Sequence, residues 1–415
     1  MSGPELVTLG CRLNIAESEA IRALAADQDD LVIVNSCAVT AEAVRQAKKA
    51  IRKAARARPD SRIVVTGCAA QIEPETFAAM PEVSRVLGNA DKHAATAFRF
   101  PRPAEAEVRV SDIFAVRQHA PQLARAFAEH ARAFVEVQTG CDHRCTFCVI
   151  PYGRGDSRSA PAGAVIDRIA ALVDAGHREV VLTGVDLTSY GADLPGAPTL
   201  GGLVERILRY VPALERLRLS SLDSIEIDDR LFALVTEEPR VMPHLHLSLQ
   251  SGDDMILKRM KRRHSRAQAV AMVERLKAKR PAIAIGADLI AGFPTEDEDM
   301  AANTLRLLAD CDIVFGHVFP YSPRAGTPAA RMPQLPRETI RTRARALRDA
   351  ADRRRAGWLD SLVGTRQSML VERDGLTGHA ANFARIRLDA PATPGAIVAV
   401  SISRVEDDAL IGSPA

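Results

Sequence analysis

The chain has 415 residues, of which 47% are hydrophobic, and its 55 Lys and Arg nearly balance 52 Asp and Glu for a net charge of +3. That length allows two or three domains, the near-neutral charge excludes a general polyanion-binding surface, and no apolar run approaches the roughly 18 residues of a membrane-spanning helix. The start, Met1-Ser2-Gly3-Pro4-Glu5, has neither the basic cluster nor the apolar stretch of a secretory signal, so a cytoplasmic protein with reduced cysteines is expected.

Residues 1–105 alternate short apolar runs with helix-period stretches. Leu6-Val7-Thr8-Leu9, Leu31-Val32-Ile33-Val34 and Ile63-Val64-Val65-Thr66 read as buried strands, with helices near 15–26, 41–57 and 73–80. The alternation implies βαβ units, hence an N-terminal α/β domain on a parallel sheet. Residues 106–130, rich in Pro, Ala and charge, read as a linker with some helix. Over 131–355 the alternation returns, with strands at 133–138, 179–183, 216–221, 244–249, 283–290 and 312–319 and helices at 163–175, 201–210, 227–237, 265–279 and 297–309. Six such units predict an incomplete (β/α)6 barrel whose functional residues lie at the C-terminal strand ends. A basic helix at 337–360 ends near Trp358. Residues 360–415 then read as short strands with turns, a small all-β barrel of the kind that presents nucleic-acid-binding faces. On that face Phe383 is either a base-stacking or a core side chain.

Cys141, Cys145 and Cys148 stand at spacing C-x3-C-x2-C after the strand-like Phe134–Gln138 and the turn Thr139-Gly140. Three thiolates on one loop can hold three irons of a cubane cluster and leave the fourth iron open, where an electron carrier would use four cysteines. The alternative is zinc, which wants four ligands in a closed site; His143, the only nearby candidate, lies inside the loop and is poorly placed. Each of the first three strands also ends in a cysteine: Cys11, Cys37 and Cys68. Adjacent strand ends share one edge of an open α/β sheet, so these three predict a second three-thiolate cluster. The alternative there is three buried core cysteines, and Cys311, alone at the last barrel strand, is read that way.

Three basic clusters stand out in this neutral chain. Arg45, Lys48, Lys49, Arg52, Lys53 and Arg56 recur at helical spacing. A second cluster comprises Lys258, Arg259, Lys261, Arg262, Arg263 and Arg266; a third runs from Arg341 to Arg355. Each alone reads as a solvated face; together they make RNA a candidate partner.

The C-x3-C-x2-C loop resembles that of the radical S-adenosylmethionine (SAM) enzymes. The chain as a whole resembles the radical-SAM methylthiotransferases. The likeness rests on Gly10-Cys11-Arg12-Leu13-Asn14 with Glu17-Ser18, Asn35-Ser36-Cys37-Ala38-Val39-Thr40, Thr66-Gly67-Cys68, Gly140 to Pro151 with Arg154-Gly155, Gly184-Val185-Asp186 with Ser189-Tyr190-Gly191, and Pro243 to His264. Ile15 and Ser36 depart from the usual pattern. The C-terminal unit resembles the family's TRAM domain, although it is short and its Ala380-Ala381 is atypical.

The resemblance implies a SAM-cleaving 4Fe–4S cluster on Cys141, Cys145 and Cys148, and an auxiliary 4Fe–4S cluster on Cys11, Cys37 and Cys68. It implies SAM contacts from Phe147 and from the strand-end residues Gly184, Asp186, Ser221, His246, Ser248, Gln250 and Asp288, with no general acid or base. Arg45, Lys48, Lys49, Arg52 and Lys53 are the RNA-contact candidates. Gly-Cys-Arg-Leu-Asn, Asn-Ser-Cys-Ala-Val-Thr and Gly-Val-Asp look like the branch that methylthiolates carbon 2 of N6-threonylcarbamoyladenosine in tRNA, next to the anticodon. The isopentenyladenosine branch and a non-enzymatic iron–sulfur RNA-binding protein are the rivals. A low-potential electron donor, a sulfur source and a monomeric state are expected, and no membrane.

Overall fold

The computed structural model describes residues 3–101, 103, 105–120, 127 and 130–415. The first unit runs β1 (Glu5–Thr8), α1 (Arg12–Leu24), β2 (Leu31–Ser36), α2 (Ala41–Ala57), β3 (Arg62–Gly67), α3 (Cys68–Ile72), α4 (Pro74–Ala78), β4 (Arg85–Leu87) and β5 (Glu107–Arg109). Its strands form one parallel sheet in the order β1-β2-β3-β4-β5. β2 and β3 are buried at every position, so they read as unbroken apolar runs. Val32, Val34, Ile63 and Val65 pack on Val44, Ala47 and Ile51 of α2. On the opposite face Leu31, Ile33 and Val64 pack on Ile21 of α1 and on Phe98.

Two expectations need correction here. The helix read at 73–80 is present as α4, opened by Pro74, which has no N–H to donate, but a further helix not expected from the sequence, α3, precedes it and begins at Cys68 itself. The sheet also extends past residue 105: β5 pairs with β4 inside the stretch read as linker, and its three residues Glu-Val-Arg carry no apolar run to reveal it. Residues 121–126 and 128–129 of that stretch lie outside the described residues.

The chain continues with β6 (Ala133–Glu136), β7 (Gln138–Thr139), α5 (Ile150–Arg154), β8 (Arg158–Ser159), α6 (Ala162–Asp174), β9 (Glu179–Thr183), α7 (Leu200–Tyr210), β10 (Arg216–Leu219) and α8 (Asp229–Glu237). Next come β11 (His244–Gln250), α9 (Asp254–Met260), α10 (Arg266–Lys279), β12 (Ala284–Ala291), α11 (Glu298–Asp310), β13 (Ile313–Pro320) and α12 (Arg337–Asp360). β6, β9 and β10 form one parallel sheet and β11, β12 and β13 another. The bridges Leu217 to Val241 and Leu222 to Leu247 join them into one curved row of six. β6 and β13 end the row and do not pair, and α1 packs along β6. The expected open barrel is therefore present, with its strands within a few residues of their predicted places.

The last unit is a closed barrel in the order β14-β15-β16-β18-β17, from β14 (Arg366–Val371), β15 (Thr377–Ala380), β16 (Arg385–Leu388), β17 (Ile397–Glu406) and β18 (Ala409–Pro414). Met369, Val371, Ile386, Leu388, Val400 and Leu410 fill it. Four of these five strands are legible in the sequence, and β18 is not. The missed turn is Asp407-Asp408, both left-handed, a conformation that Asp tolerates better than most residues.

This small barrel docks on the N-terminal end of the larger one through a buried charge lattice. Fully buried Glu179 pairs with Arg132, Arg216 and Arg218 at 3.7, 3.5 and 3.1 Å. Arg216 donates to the carbonyl and hydroxyl of Ser368, Arg218 to the carbonyls of Ala380 and Ala381, and Arg132 to Glu372. Phe383 is stacked between His244 and His379, each 4.7 Å away centroid to centroid, so it belongs to this interface.

Candidate active site

The cysteine loop is closed at its base by the pairing of β7 with β8. Gly140 starts it with a left-handed φ of 73°, and a Cβ there would sit 1.9 Å from the carbonyl oxygen of Asp156, so only glycine fits. Gln138 fastens the loop to the barrel: its amide donates to the carbonyl of Gly140 (2.8 Å) and its carbonyl accepts from the backbone of Val185 and Asp186 (3.0 and 2.8 Å). Thr146 ties the far side to the C-terminus of α9, donating to the carbonyls of Met260 and Arg259.

Backbone N–H groups of His143 and Ile150 donate to Cys141 and Cys148, and Arg262 donates to Cys145 at 3.7 Å. Donors aimed at sulfur are what anionic thiolate ligands require. Burial pushes the thiols of Cys141 and Cys148 up, that of Cys148 to about 12, so ligation releases protons. All seven cysteines are free. His143 does not join the thiols as a group: its ring is 3.0 Å from Asp186 and also meets Arg263. Cys141, His143 and Asp186 still offer three ligand atoms within 4.8 Å of one another.

The second trio stands at the carboxyl ends of three neighbouring strands. Cys11 precedes α1, Cys37 follows β2 and Cys68 opens α3. A Cβ on Gly10 would lie 2.8 Å from that of Cys37, so the first two strand ends touch. Asn14 cross-ties them, donating to the carbonyls of Leu9 (2.7 Å) and Ser36 (3.1 Å). The backbone of Val39 donates to Cys37, whose thiol burial raises to about 11. The donor pattern around both trios suits cluster ligation.

α5, which begins just past Cys148, packs against α3, which begins at Cys68. The two trios are therefore side by side. Arg154 at the end of α5 makes the junction: its Nε donates to Cys68 Sγ at 3.1 Å, and its terminal nitrogens reach Asn14 at 2.9 Å and both carboxylate oxygens of Glu17. Lys92 approaches Glu17 from the other side at 2.8 Å and Asn89 at 2.7 Å. All six residues are buried. Burial alone would raise the Glu17 carboxyl, but Arg154 and Lys92 hold it well below the usual carboxylate range.

The other SAM candidates fall into two groups. Gly184 and Asp186 follow β9, Ser221 follows β10, and Ser248 and Gln250 end β11, all on the rim facing the cysteine loop. Gln250 takes a left-handed φ of 66°, and the carbonyl of Ser248 accepts from Arg262 at 2.8 Å. His246 and Asp288 sit deeper, in mid-strand and not at the strand ends where the sequence reading set them. His246 meets Asp288 at 2.9 Å, and His317 on β13 approaches the same oxygen at 3.4 Å. Phe147 packs edge-on against Phe293, half-buried at the base of its loop.

The basic clusters separate on inspection. In the second, Arg259, Arg262, Arg263 and Arg266 are committed to Thr295, Asp223, Glu226 and Asp310. In the third, Arg343, Arg354 and Arg355 are bound to Glu296, Asp312 and the carbonyl of Asp408. On α2, Val44, Ala47, Ile51 and Ala54 face the core, and Arg45 pairs with Glu42. Lys49, Arg52 and Lys53 are exposed and carry no ion pair among the described residues. The α2 N-terminus abuts Ser322 at the barrel rim. Cys311 is fully buried.

Sequence reasoning gave no role to Gln138, Asn89, Lys92 or Asp223, and quoted Asn14, Glu17 and Arg154 without one. For the last three a signal existed: polar residues recurring along the start of α1 and a lone arginine closing α5 imply polar faces that must be satisfied in the interior.

Comparisons place this geometry among known proteins. The radical SAM superfamily profile matches residues 135–308, and that of Uncharacterized protein family UPF0004 matches residues 5–88. The chain is 46% identical over 405 residues to the threonylcarbamoyladenosine tRNA methylthiotransferase MtaB of Rickettsia prowazekii, covering 97% of this chain and 95% of that one. It is 34% identical over 98% of its length, and 97% of the relative's, to the tRNA-2-methylthio-N(6)-dimethylallyladenosine synthase of Cereibacter sphaeroides. Among solved structures, the radical SAM methyltransferase TsrM of Kitasatospora setae aligns with a TM-score of 0.55 at 14% identity, over 80% of this chain and 77% of that one, a likeness of fold.

Proposed function

The chain belongs to the radical-SAM methylthiotransferase family, and on that premise we propose that it attaches a methylthio group to carbon 2 of N6-threonylcarbamoyladenosine, beside the anticodon of a tRNA. The observation that carries this reading is the abutment of two three-cysteine sites through α3 and α5, with barrel and first unit facing one another. Membership in the radical SAM superfamily implies a 4Fe–4S cluster and SAM; Cys141, Cys145 and Cys148 would hold the cluster, and Cys11, Cys37 and Cys68 a second one. With SAM the first would supply the radical chemistry needed at a carbon with no acidic proton, and the second would supply sulfur.

The protein's own residues position and shield. Gln138 holds Asp186 and the cysteine loop in one register. Arg262 neutralises Cys145 while gripping Asp223 at 2.8 Å. Arg154 neutralises Cys68 and fixes the distance between the sites. Gly184, Asp186, Ser221, Ser248 and Gln250 form the rim against which SAM lies, with Phe147 below. The free cations of α2 hold the RNA backbone. A low-potential electron donor and a sulfur source complete turnover, and the working unit is a monomer.

The dimethylallyl-adenosine reading is second, since the relatives so named match at 33–34% identity against 46% for the first-named relative. Mass spectrometry of tRNA nucleosides from cells lacking the protein decides between them. The expected result is accumulation of threonylcarbamoyladenosine without its methylthio form. Normal levels of that product, with loss of the isopentenyl one, would reverse the assignment.

A further inference from the structure

Arg12 immediately follows Cys11, yet its side chain belongs to the barrel. Its guanidinium carbon is 5.4 Å from the Phe383 ring centroid, beside those of Arg132 and Arg218 at 5.5 and 4.9 Å. Its electrostatic neighbours are Arg218, Arg132, Glu179 and Asp288. α1 packs along β6, at the open seam, so a residue of the first unit reaches the barrel interior from the side.

The nearby acids are already engaged. Glu179 answers Arg132, Arg216 and Arg218; Glu372 answers Arg132; Asp288 accepts from His246 and faces His317. Arg12 has no hydrogen bond or ion pair among the described residues. Four guanidiniums thus meet three carboxylates, with one positive charge left over. A half-buried cation without an anionic partner is costly to keep, and a site one charge short suits an anion carrying one charge.

We propose that Arg12 anchors the threonyl carboxylate of the substrate, making the barrel interior beneath the two cysteine sites a carboxylate-binding subsite. This rests on the substrate reading above and extends it. Carbon 2 and the carbon bearing N6 both flank N1 of adenine, so a group on N6 lies on the same edge as the reacting carbon. The threonylcarbamoyl group ends in a free carboxylate; an isopentenyl group ends in hydrocarbon and gains nothing from a guanidinium. A planar fork matches a carboxylate with two parallel hydrogen bonds, so Arg12 is a specificity-determining residue.

The test compares two anticodon stem-loop RNAs, one carrying threonylcarbamoyladenosine and the other its threonine methyl ester. Binding to the cluster-reconstituted protein is read by fluorescence anisotropy without SAM, and methylthiolation separately. Wild type should prefer the acid by about ten- to a hundredfold in affinity and in kcat/KM, the range for a hydrogen-bonded charge. Arg12→Met should erase that preference by weakening the acid alone; Arg12→Lys should restore part of it; both should keep wild-type iron. Equal treatment of acid and ester by wild type, which needs no variant, overturns the proposal, as does a preference that survives in Arg12→Met. If wild type turns over both RNAs equally, the substrate reading stands and the subsite alone falls. If it turns over neither, the substrate reading falls and the subsite with it.

Discussion

Arg154 Nε lies 3.1 Å from Cys68 Sγ, across 86 residues of chain. Arg154 closes the helix that follows Cys148, and Cys68 opens the helix that follows β3, so one guanidinium joins the two cysteine sites. Arg154→Met leaves Glu17, buried beside Asn14, with Lys92 as its one remaining ion-pair partner among the described residues. Breaking such a buried pair costs about 3–5 kcal/mol. Urea unfolding should show that loss, and iron assays a preferential loss from the Cys11, Cys37 and Cys68 site. An unchanged midpoint with full iron would show that the junction contributes nothing.

The two sites should load independently. Anaerobic reconstitution should give about eight irons from two cubanes, and replacing Cys141, Cys145 and Cys148 together by Ala should leave about half. Stoichiometric zinc in place of iron would instead make Cys141, His143 and Asp186 a metal site of another kind.

Glu179 sets the docking of the small barrel. Burial opposes its ionisation, but Arg218 and Arg132 outweigh burial and pull its pKa to about 2 from an ordinary 4.5. A depressed carboxyl contributes stability that is complete above the unfolded value and is lost as pH falls through the folded one. Wild type should therefore exceed Glu179→Gln by about 3 kcal/mol at pH 7, and the gap should narrow from about pH 4.5 down toward pH 2. Urea midpoints at pH 7, 5 and 3 measure it. A gap that is the same at all three would remove the carboxylate from the account.

α2 should carry the salt dependence of RNA binding. Phosphate contacts release counterions, with a slope near −0.9 per contact on a duplex. Reversing Lys49, Arg52 and Lys53 to Glu should weaken tRNA binding and flatten the slope by about two to three, with iron content and RNA-independent SAM cleavage unchanged. An unaltered slope would mean that this face is merely solvated.

The parts of the molecule legible in sequence are those where local pattern and final position coincide. β2 and β3 are buried on both faces and announce themselves as apolar runs, and their end position alone predicts that Cys11, Cys37 and Cys68 meet. β5 was not legible, because three residues with one valine are a strand only once β4 is beside them. The internal pairing of Arg262 and Arg266 in the second basic cluster was hidden for the same reason: their partners Asp223 and Asp310 are distant in sequence and appear only when the chain has folded. Phe383 was undecided until His244 and His379 enclosed it. His246 and Asp288 were placed at strand ends because a motif marks a segment, while register decides which of its residues point inward and how deep.

The central claim is a division of labour between two cysteine sites acting on one adenosine. It is tested most directly by one assay, in which reconstituted wild type, Cys37→Ala and Cys148→Ala are each given SAM, a reductant and the threonylcarbamoyladenosine stem-loop, and 5′-deoxyadenosine and methylthiolated nucleoside are quantified together. Wild type should make both, Cys148→Ala neither, and Cys37→Ala 5′-deoxyadenosine without the methylthio product. Loss of 5′-deoxyadenosine in Cys37→Ala, or retention of the methylthio product, would contradict it.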